Sequence, residues 1–456
     1  MSCLMGTIRE MDSECQKLLD EMAGATTLSL MIMYAWQLAR TLAVRLVEET
    51  LANRAQSPTE WEACEKCGKR LQSKGFAPRQ IKSIIGLIKW ERRLGRCSNK
   101  CALGQVAPLD DDLGLTSHQK SDLGLQRIAC LAAIFMPFET AEMLLSQLSG
   151  VSVSSQTIWE WVQATGRQMM DSLEAELTAL KHGVEPEIEV IKAEVAAETL
   201  LIGADGVMVP FRPQEKTAQG KTKWQEVKVA ILVRLGQGFT RAGKAITRLH
   251  RHRVTAVLGD IDELSDRMWL ESLKQGLKQA PQVVWLSDGG RGFWRLFDER
   301  FRDYARGVLD FYHAAQNIWS GVKVWLDGRT HHAQAWFNDA RHRLRHGQAN
   351  AVLEDIEAAL LLSDLPDSAR QSLTKLYNYL DKHRDHIQYD KLKELGLPIG
   401  SGLVESTCKW LIQQRFKGVG MRWSENGFNH LLHLRLAWVN GRFDAFFPST
   451  TASPKS

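Results

Sequence analysis

The sequence lacks an uninterrupted apolar run long enough to cross a membrane, and it shows no secretory signal. Its most apolar stretch, residues 29–49, is broken by four charged side chains, which are Arg40, Arg45, Glu48 and Glu49. Charges inside a span are costly in the bilayer, so this stretch indicates an amphipathic helix of a water-exposed protein. We therefore expect a cytoplasmic protein without a membrane partner.

Net charge is also absent from most of the chain, because residues 1–405 are neutral as a whole. The formal charge of +5 comes from the residues after 405, where seven Lys and Arg face two acids. A second basic block, residues 212–253, holds eleven Lys and Arg against two Glu. A solvated basic surface explains such blocks, and so does a polyanionic partner, because neutralised phosphates release counterions on binding.

Four of the eight cysteines are scattered and four form two close pairs. The scattered ones, which we expect to be reduced thiols without a secretory signal, are Cys3, Cys15, Cys130 and Cys408. The pairs are Cys64 with Cys67 and Cys97 with Cys101, and the interval between them is long enough for a β-hairpin. Two thiol pairs brought together by a hairpin predict one structural Zn²⁺ in a ribbon-like module, with disulfides as the alternative.

Three carboxylates each lie at the junction between a short apolar strand or a glycine turn and the element that follows it. They are Asp205 in TLLIGADGV, Asp288 in VVWLSDGG and Glu405 in LPIGSGLVES. An acid at the end of a buried strand faces the crevice at the carboxyl edge of the sheet, where hard cations accept oxygen ligands. Each acid alone could be a cap or a turn former. Together and in this order they predict a divalent-metal site for phosphoryl transfer on nucleic acid.

Helix and strand patterns indicate how the chain is divided. We expect an α/β protein whose mixed sheet opens with an antiparallel meander, after a helix-turn-helix and a long charged helix at roughly 167–197. The expected segments are N-terminal helices at 1–56, a zinc-ribbon-like module at 57–112, a helical DNA-binding region at 113–197, the first part of the catalytic core at 198–317, an all-α insertion at 318–391, the last part of the core at 392–445 and a disordered tail at 446–456.

The motifs, taken in order, resemble those of a known family. GADG at Asp205, LSDGG at Asp288, DFYH with Asp310 and His313, GSGLVES at Glu405 and the later GMRWS resemble the DDE transposases of bacterial insertion sequences. Within these the chain is most similar to the ISKra-type group, which is related to Mutator-like elements. The resemblance covers residues 50–445, roughly, and implies an RNase H-like catalytic core.

The resemblance also implies the roles of several residues. Asp205, Asp288 and Glu405 would be the catalytic acids and would bind two Mg²⁺ or Mn²⁺ ions. Asp310 and His313 would match an accessory D-x-x-H motif. The side chains expected to contact DNA, from the helix after the third acid, the GMRWS motif and the helix-turn-helix, are Lys409, Arg415, Lys417, Arg422, Trp423, Gln156 and Arg167.

The implied activity is metal-dependent cleavage at the inverted-repeat ends of an element, followed by strand transfer into target DNA. Such an enzyme would act on double-stranded DNA in the bacterial nucleoid, as a homodimer, because two element ends must be held together. Two alternatives stay open at this point. One is a catalytically silent DNA-binding relative, and the other is an RNase H-like nuclease that cuts without joining. For Trp423, base stacking and core burial are both open.

Overall fold

A computed structural model describes residues 13–101, 105–213 and 221–447, except for the side chain of Ala245. The chain divides into two compact units, Met1–Val162 with Phe447–Ser456, and Gln163–Phe446. The finer seven-part division stays a prediction. Cys3 and residues 448–456 of the expected tail lie outside the described residues.

The first unit combines helices with one β-hairpin. Its helices are α1 (Ser13–Ala23), α2 (Leu28–Gln56), α3 (Pro108–Asp112), α4 (Leu123–Phe135) and α5 (Phe138–Ser149). The strands β1 (Gln72–Ser83) and β2 (Gly86–Arg96) pair antiparallel. Ile81 and Trp90 of the hairpin pack with Leu51 of α2, which gives this unit a small apolar core of its own.

Helix α2 contains the apolar stretch considered above. Among the described residues it is the one helix long and apolar enough to cross a membrane, a test that core helices and signal sequences also pass. Its start is capped by Thr27, whose side chain accepts a hydrogen bond from the amide of Leu30. Leu28 and Trp36 are exposed, 71% and 54% respectively, so the apolar side chains near its start are poorly covered.

The segment after α5 differs from the prediction in one respect. Gly150, with φ of 66°, ends α5, and α6 then runs without a break over Ser155–Lys181. The separate charged helix expected at roughly 167–197 is therefore wrong, because its first half belongs to α6. Gly183, with φ of 83°, stops the helix, and nearby Pro186 has no amide hydrogen to continue one.

The second unit contains a mixed sheet with strand order β5-β4-β3-β6-β7. The strands are β3 (Thr199–Phe211), β4 (Lys223–Phe239), β5 (Ala245–Val257), β6 (Val283–Ser287) and β7 (Arg306–Leu309). Strand β4 pairs antiparallel with β3 on one side and with β5 on the other, whereas β6 pairs parallel with β3 and β7 parallel with β6. The predicted mixed α/β sheet with an antiparallel opening is thus confirmed.

The meander itself is composed differently from the expectation. TLLIGADG and VMVPF, expected as two strands, form the single strand β3, and the third strand is β5 from the basic block. Asp205 therefore lies inside a strand instead of closing one. Pairing with β4 continues through Gly206 to Phe211, and this continuous ladder outweighs the turn preference of an Asp-Gly pair.

Helices surround the sheet and dominate the rest of the unit. After α6 they are α7 (Ala193–Ala196), α8 (Ile261–Lys274), α9 (Arg291–Leu296), α10 (Phe311–Trp325), α11 (His331–Arg345), α12 (Ala349–Leu360), α13 (Asp367–Lys382), α14 (Tyr389–Glu394), α15 (Gly402–Thr407) and α16 (Glu425–Val439). Single π-helical turns extend α9 over Phe297–Phe301 and α15 over Cys408–Gln413. All of the described structure between β7 and α15 is helix or turn, and one apolar core joins these helices to the sheet.

A network of ion pairs fixes the segment before β3 to the far edge of the sheet. Glu189 accepts hydrogen bonds from Arg251 and Arg253 of β5 and from Arg442, which also pairs with Glu271 at 2.8 Å. Burial alone would raise the pKa of Glu189, but the arginines outweigh it and lower the pKa to about 2. The carboxylate thus stabilises the folded state as long as it is ionised.

Replacing Glu189 with Gln should remove a stabilisation that depends on pH. Because the folded pKa of about 2 lies below the ordinary value of 4.5, the contribution is complete above pH 4.5 and is lost as the pH falls toward 2. Denaturant unfolding should show a loss of about 1–3 kcal/mol near neutral pH that shrinks steadily in acid. Glu185→Gln removes an exposed ion pair with Lys278 and should change little. A pH-independent difference for Glu189→Gln would contradict the assignment.

Candidate active site and metal centre

Two of the three acids lie side by side on the neighbouring parallel strands β3 and β6, Asp205 within β3 and Asp288 just after β6. Ala204 of β3 is in register with Ser287 of β6, so Asp205 and Asp288 are the next residues along neighbouring strands. Asp205 is partly buried, and its side chain accepts a hydrogen bond from the Gly206 amide at 2.7 Å. Although β3 continues past Asp205, β6 stops just before Asp288, so both carboxylates are at the carboxyl edge of β6.

The third acid is brought to β3 by a close approach of backbone and helix. A Cβ atom on Gly203 would lie 2.5 Å from Cγ2 of Val404, the residue before Glu405. Only a glycine at this position leaves room for α15 to lie against β3. Glu405 is in the first turn of α15, where its amide donates to the Ser401 carbonyl at 3.0 Å.

The charges of these groups act on one another. Burial raises the pKa of Asp205, and the negative charges of Asp288 and Glu405 raise it further, while the Gly206 hydrogen bond and His313 oppose the change. Like charges gathered at a half-buried edge favour a bound cation, which would relieve their repulsion. The catalytic and metal-binding roles of the three acids nevertheless remain predictions.

Asp310 and His313 lie next to the acids and connect them to the returning chain. The Asp310 carboxylate is fully buried and accepts hydrogen bonds from the amides of His313, at 2.7 Å, and Ser401. Burial would raise the pKa of Asp310, but its interactions with His313 and Ser401 outweigh it and lower the pKa to about 2. The nearby Asp310 side chain in turn raises the pKa of His313, whose Nδ1 lies 3.3 Å from Oδ1 of Asp310.

Two aromatic residues near Asp288 could not be found from the sequence. The indole Nε1 of Trp294 donates to the Asp288 carbonyl at 2.6 Å, and its ring lies 4.6 Å from that of His383. Tyr379 of α13 fills the space beside Gly289, where a Cβ atom would lie 2.2 Å from the ring. Burial and the charge of Asp288 raise the pKa of Tyr379. Helix α13 of the insertion thus packs next to the second acid, at Gly289, and no local motif predicts this contact between distant segments.

The expected DNA-contacting residues are not all on the surface. Arg415 is only 2% exposed and its guanidinium lies 5.3 Å from the centre of the Trp423 ring, so it is not positioned for a surface contact, which corrects the prediction. The π-helical turn after α15 changes the phase of the residues that follow it. Trp423 is half-buried and donates from Nε1 to the Phe416 carbonyl at 3.0 Å. The residues of the set that are exposed are Lys409, Lys417, Arg422, Gln156 and Arg167.

The four paired cysteines form a separate cluster in the first unit. The sulfur atoms of Cys64, Cys67, Cys97 and Cys101 all lie within 4.8 Å of one another, the one such group of potential metal ligands within the described residues. The 3.4 Å between the sulfurs of Cys67 and Cys97 is too long for a disulfide. Gly68, with φ of 70°, allows the tight turn that follows the first pair. This cluster could hold a zinc ion.

The chemistry of the cluster also fits a cation. Hydrogen bonds with the other three thiols, together with burial and the charge of Cys64, raise the pKa of Cys101 to about 12. Four thiolates at this spacing would repel one another unless a dication were bound between them. The three carboxylates of the candidate active site are spread more widely than the sulfurs, because they do not form a group within 4.8 Å.

Comparison with known proteins gives a distant relative. No protein-family model matches the chain. The UPF0236 protein in the vanSb 3′ region of Streptococcus gallolyticus is 26% identical over 379 residues, which cover 81% of this chain and 74% of that protein. The Drosophila P element transposase strand transfer complex is 11% identical, with a TM-score of 0.33, over 71% of this chain and 92% of that one. A structural similarity of that degree is too low to define the fold.

Replacing Cys64 and Cys67 together with Ser should abolish metal binding by the cluster. Mass spectrometry of the purified wild-type chain should find about one zinc per molecule, and the double variant should retain almost none. Cys130→Ala, which removes a buried thiol outside the cluster, is the control and should keep its zinc. Equal zinc contents in the wild type and the double variant would exclude the cluster as the binding site.

The close approach at Gly203 can be tested with a double-mutant cycle. Gly203→Ala should destabilise the protein by about 1–3 kcal/mol, because the new methyl group meets Val404. Val404→Ala removes the opposing methyl groups, so the same Gly203→Ala change should cost less in that background. The measurement is denaturant unfolding of the four proteins. Additive effects of the two substitutions would show that this contact does not set the position of α15.

Proposed function

We propose that this protein is a DDE transposase of the ISKra-type group, with an RNase H-like core formed by residues 198–317 and 392–445 and interrupted by the helical insertion 318–391. The observation that carries the proposal is the meeting of Asp205, Asp288 and Glu405 at one sheet edge from three distant parts of the chain. The distant UPF0236 relative, matched over most of this chain, is compatible with it.

In the proposed reaction the divalent ions would be held by Asp205, Asp288 and Glu405. When bound, two Mg²⁺ or Mn²⁺ ions lower the pKa of the attacking water or 3′-hydroxyl and offset the charge that develops on the phosphate. The chain's own residues set the geometry. Trp294 fixes the backbone of Asp288, and Asp310 fixes Ser401, four residues before Glu405.

His313 is positioned to contact an incoming phosphate. Its side chain is one-third exposed beside the acids, and its raised pKa favours the protonated form near neutral pH. A protonated imidazole at this edge would attract the scissile phosphate without competing for a cation. We assign this role to His313, and Asp310 would act indirectly by orienting the imidazole ring.

The proposal also covers the remaining contacts with DNA. The exposed Lys409, Lys417 and Arg422 follow the third acid and would contact phosphates near the cut, and Gln156 and Arg167 would do so from α6. The cysteine cluster would hold one structural Zn²⁺. A homodimer in the nucleoid would hold the two inverted-repeat ends together.

Replacing Asp205 with Asn should abolish cleavage while leaving DNA binding intact. The substrate is a duplex that carries the inverted-repeat end of the element, assayed with Mg²⁺ or Mn²⁺. Loss of one of the three proposed carboxylate ligands should slow nicking by about two orders of magnitude or more. The control is Asp364→Asn, an exposed acid in the insertion, which should nick like the wild type.

The same assay separates the proposed function from its alternatives. A labelled end with a free 3′-hydroxyl should be joined to a target plasmid by the wild type. Nicking without joining would identify a nuclease, and binding with no metal-dependent product would identify a silent DNA-binding protein. Equal nicking by the wild type and Asp205→Asn would overturn the assignment of the acids.

A further inference from the structure

Strands β4 and β5 continue beyond the rest of the sheet as a two-stranded ribbon. Thr199, the first residue of β3, pairs with Leu235 of β4, and the strands then form four more cross-strand pairs, up to Phe239 with Ala245. These pairs extend the ribbon by about 13 Å past the start of β3. We call residues 236–248 the ribbon.

The tip of the ribbon has a defined shape. Thr240 and Lys244 close it, because the amide of Thr240 donates to the Lys244 carbonyl at 2.9 Å, and the amide of Lys244 donates to the Thr240 hydroxyl. Gly243, with φ of 77°, supplies the left-handed residue that such a short turn needs. The tip is therefore an ordered hairpin end.

The basic block of residues 212–253 can now be divided by what its cations contact. Arg234 is buried and donates to three backbone carbonyls, while Arg251 and Arg253 pair with Glu189. Lys228 pairs with Glu226 and Lys223 with Glu425. These five cations are used inside the unit and are not available to a partner.

Three cations of the block lie on the ribbon and are exposed. They are Arg241, Lys244 and Arg248, and within the described part of the chain none of them has an ion pair or a side-chain hydrogen bond. The ribbon contains no acid. Glu198 near its base is hydrogen-bonded to His250 at 2.8 Å and so is already paired. The ribbon thus concentrates uncompensated positive charge.

Two further features describe the surface of the ribbon. Arg248 lies across Gly238, where a Cβ atom would be 2.5 Å from its Nε, so the glycine lets the guanidinium extend along the ribbon. Phe239, the next residue along β4, exposes 65% of its surface and lies on the opposite face of the ribbon from Gly238 and Arg248. The ribbon thus has an exposed guanidinium on one face and an exposed apolar ring on the other, with Arg241 and Lys244 at the tip.

The ribbon is far from the acids. Asp205 pairs with Val229, and ten residues of β4 separate Val229 from Phe239, a distance of about 33 Å along the strand. A duplex engaged at the carboxyl edge by its scissile phosphate would therefore not be held by the ribbon at the same point. The ribbon is a separate contact.

We infer that the ribbon is a second DNA-binding element, which contacts the phosphates of duplex DNA through Arg241, Lys244 and Arg248 at a distance from the acids. A two-stranded ribbon is narrow enough to enter the major groove, and the three cations could each neutralise a phosphate along it. The choice of DNA over another polyanion rests on the proposed function. The presence of a second binding element does not follow from that function.

The test measures how salt affects the binding of the full-length protein to a duplex of random sequence, by fluorescence anisotropy without added Mg²⁺ or Mn²⁺. Binding should weaken on replacing Arg241, Lys244 and Arg248 together with Gln, and the slope of log K against log salt should become shallower by about 2–3 between 50 and 200 mM salt. The matched control, Lys323→Gln with Lys375→Gln and Lys393→Gln, removes the same charge from exposed sites on helices α10, α13 and α14.

The outcomes separate this inference from the proposed function. Without Mg²⁺ or Mn²⁺ no cleavage is expected in the binding assay, so failure of the proposed catalytic role of the acids leaves the result unchanged. Nicking by the ribbon variant is scored in a separate assay. Equal slopes for the ribbon variant and the control would overturn the inference. The inference would also be overturned if the ribbon variant lost binding to phosphatidylserine vesicles while its salt slope for DNA binding stayed unchanged.

A charge-conserving variant tests whether any change in the salt slope comes from loss of charge or from loss of structure. Arg241→Lys with Arg248→Lys keeps the charges and should keep the salt slope close to that of the wild type, because phosphate contacts read charge. All variants should melt at the wild-type temperature, since the replaced side chains are exposed. A slope lost by the Lys variant as fully as by the Gln variant would also overturn the inference.

Discussion

The arrangement of the candidate active site depends on one buried carboxylate. Asp310, at the end of β7, is completely enclosed and accepts the amides of His313 and Ser401, which are on opposite sides of the helical insertion. The amide of Phe311 also donates to the Ile399 carbonyl at 2.8 Å. These bonds close a loop of nearly ninety residues and return the chain to the sheet just before the third acid.

An enclosed charge is costly unless hydrogen bonds satisfy it, and here two backbone amides do so. The arrangement is directional, since an amide donor must point at the carboxylate oxygen, so Asp310 specifies the position of the returning segment as well as stabilising it. Gly203 then determines how closely α15 can approach β3. The buried charge of Asp310 and the absence of a side chain at Gly203 together place Glu405 beside Asp205.

The features visible in the sequence are those encoded by local pattern. Apolar runs before Asp205 and Asp288, the helical texture between Asp310 and Glu405, and the two cysteine pairs each indicated an element or cluster that the structure contains. Their roles in catalysis and metal binding are still predictions. The strand ends were harder to predict. Asp-Gly at 205 and 206 favours a turn when considered alone, whereas pairing with β4 keeps β3 extended through these residues to Phe211.

What the sequence could not provide depends on contacts between distant segments. Trp294 and Tyr379 have no motif that connects them to Asp288, since their positions follow from how the insertion packs on the sheet. Arg415 follows the third acid on a helix, where the sequence predicts an exposed basic side chain. After the π-helical turn it is instead buried, next to the Trp423 ring. The type of a residue is local information, but its exposure is not.

The basic block at residues 212–253 shows most clearly that the sequence does not determine which side chains are exposed. Its Lys and Arg look alike in the sequence, but in the fold some form ion pairs and others remain exposed. Arg251 and Arg253 are neutralised by Glu189, which comes from the segment before the sheet, whereas Arg241 and Arg248 remain exposed because β4 and β5 outrun their neighbours. Strand length therefore decides which cations stabilise the fold and which remain free to meet a polyanion. Because that free charge is at the end of β4 remote from Asp205, attraction of DNA and chemistry on it can be separated within one sheet.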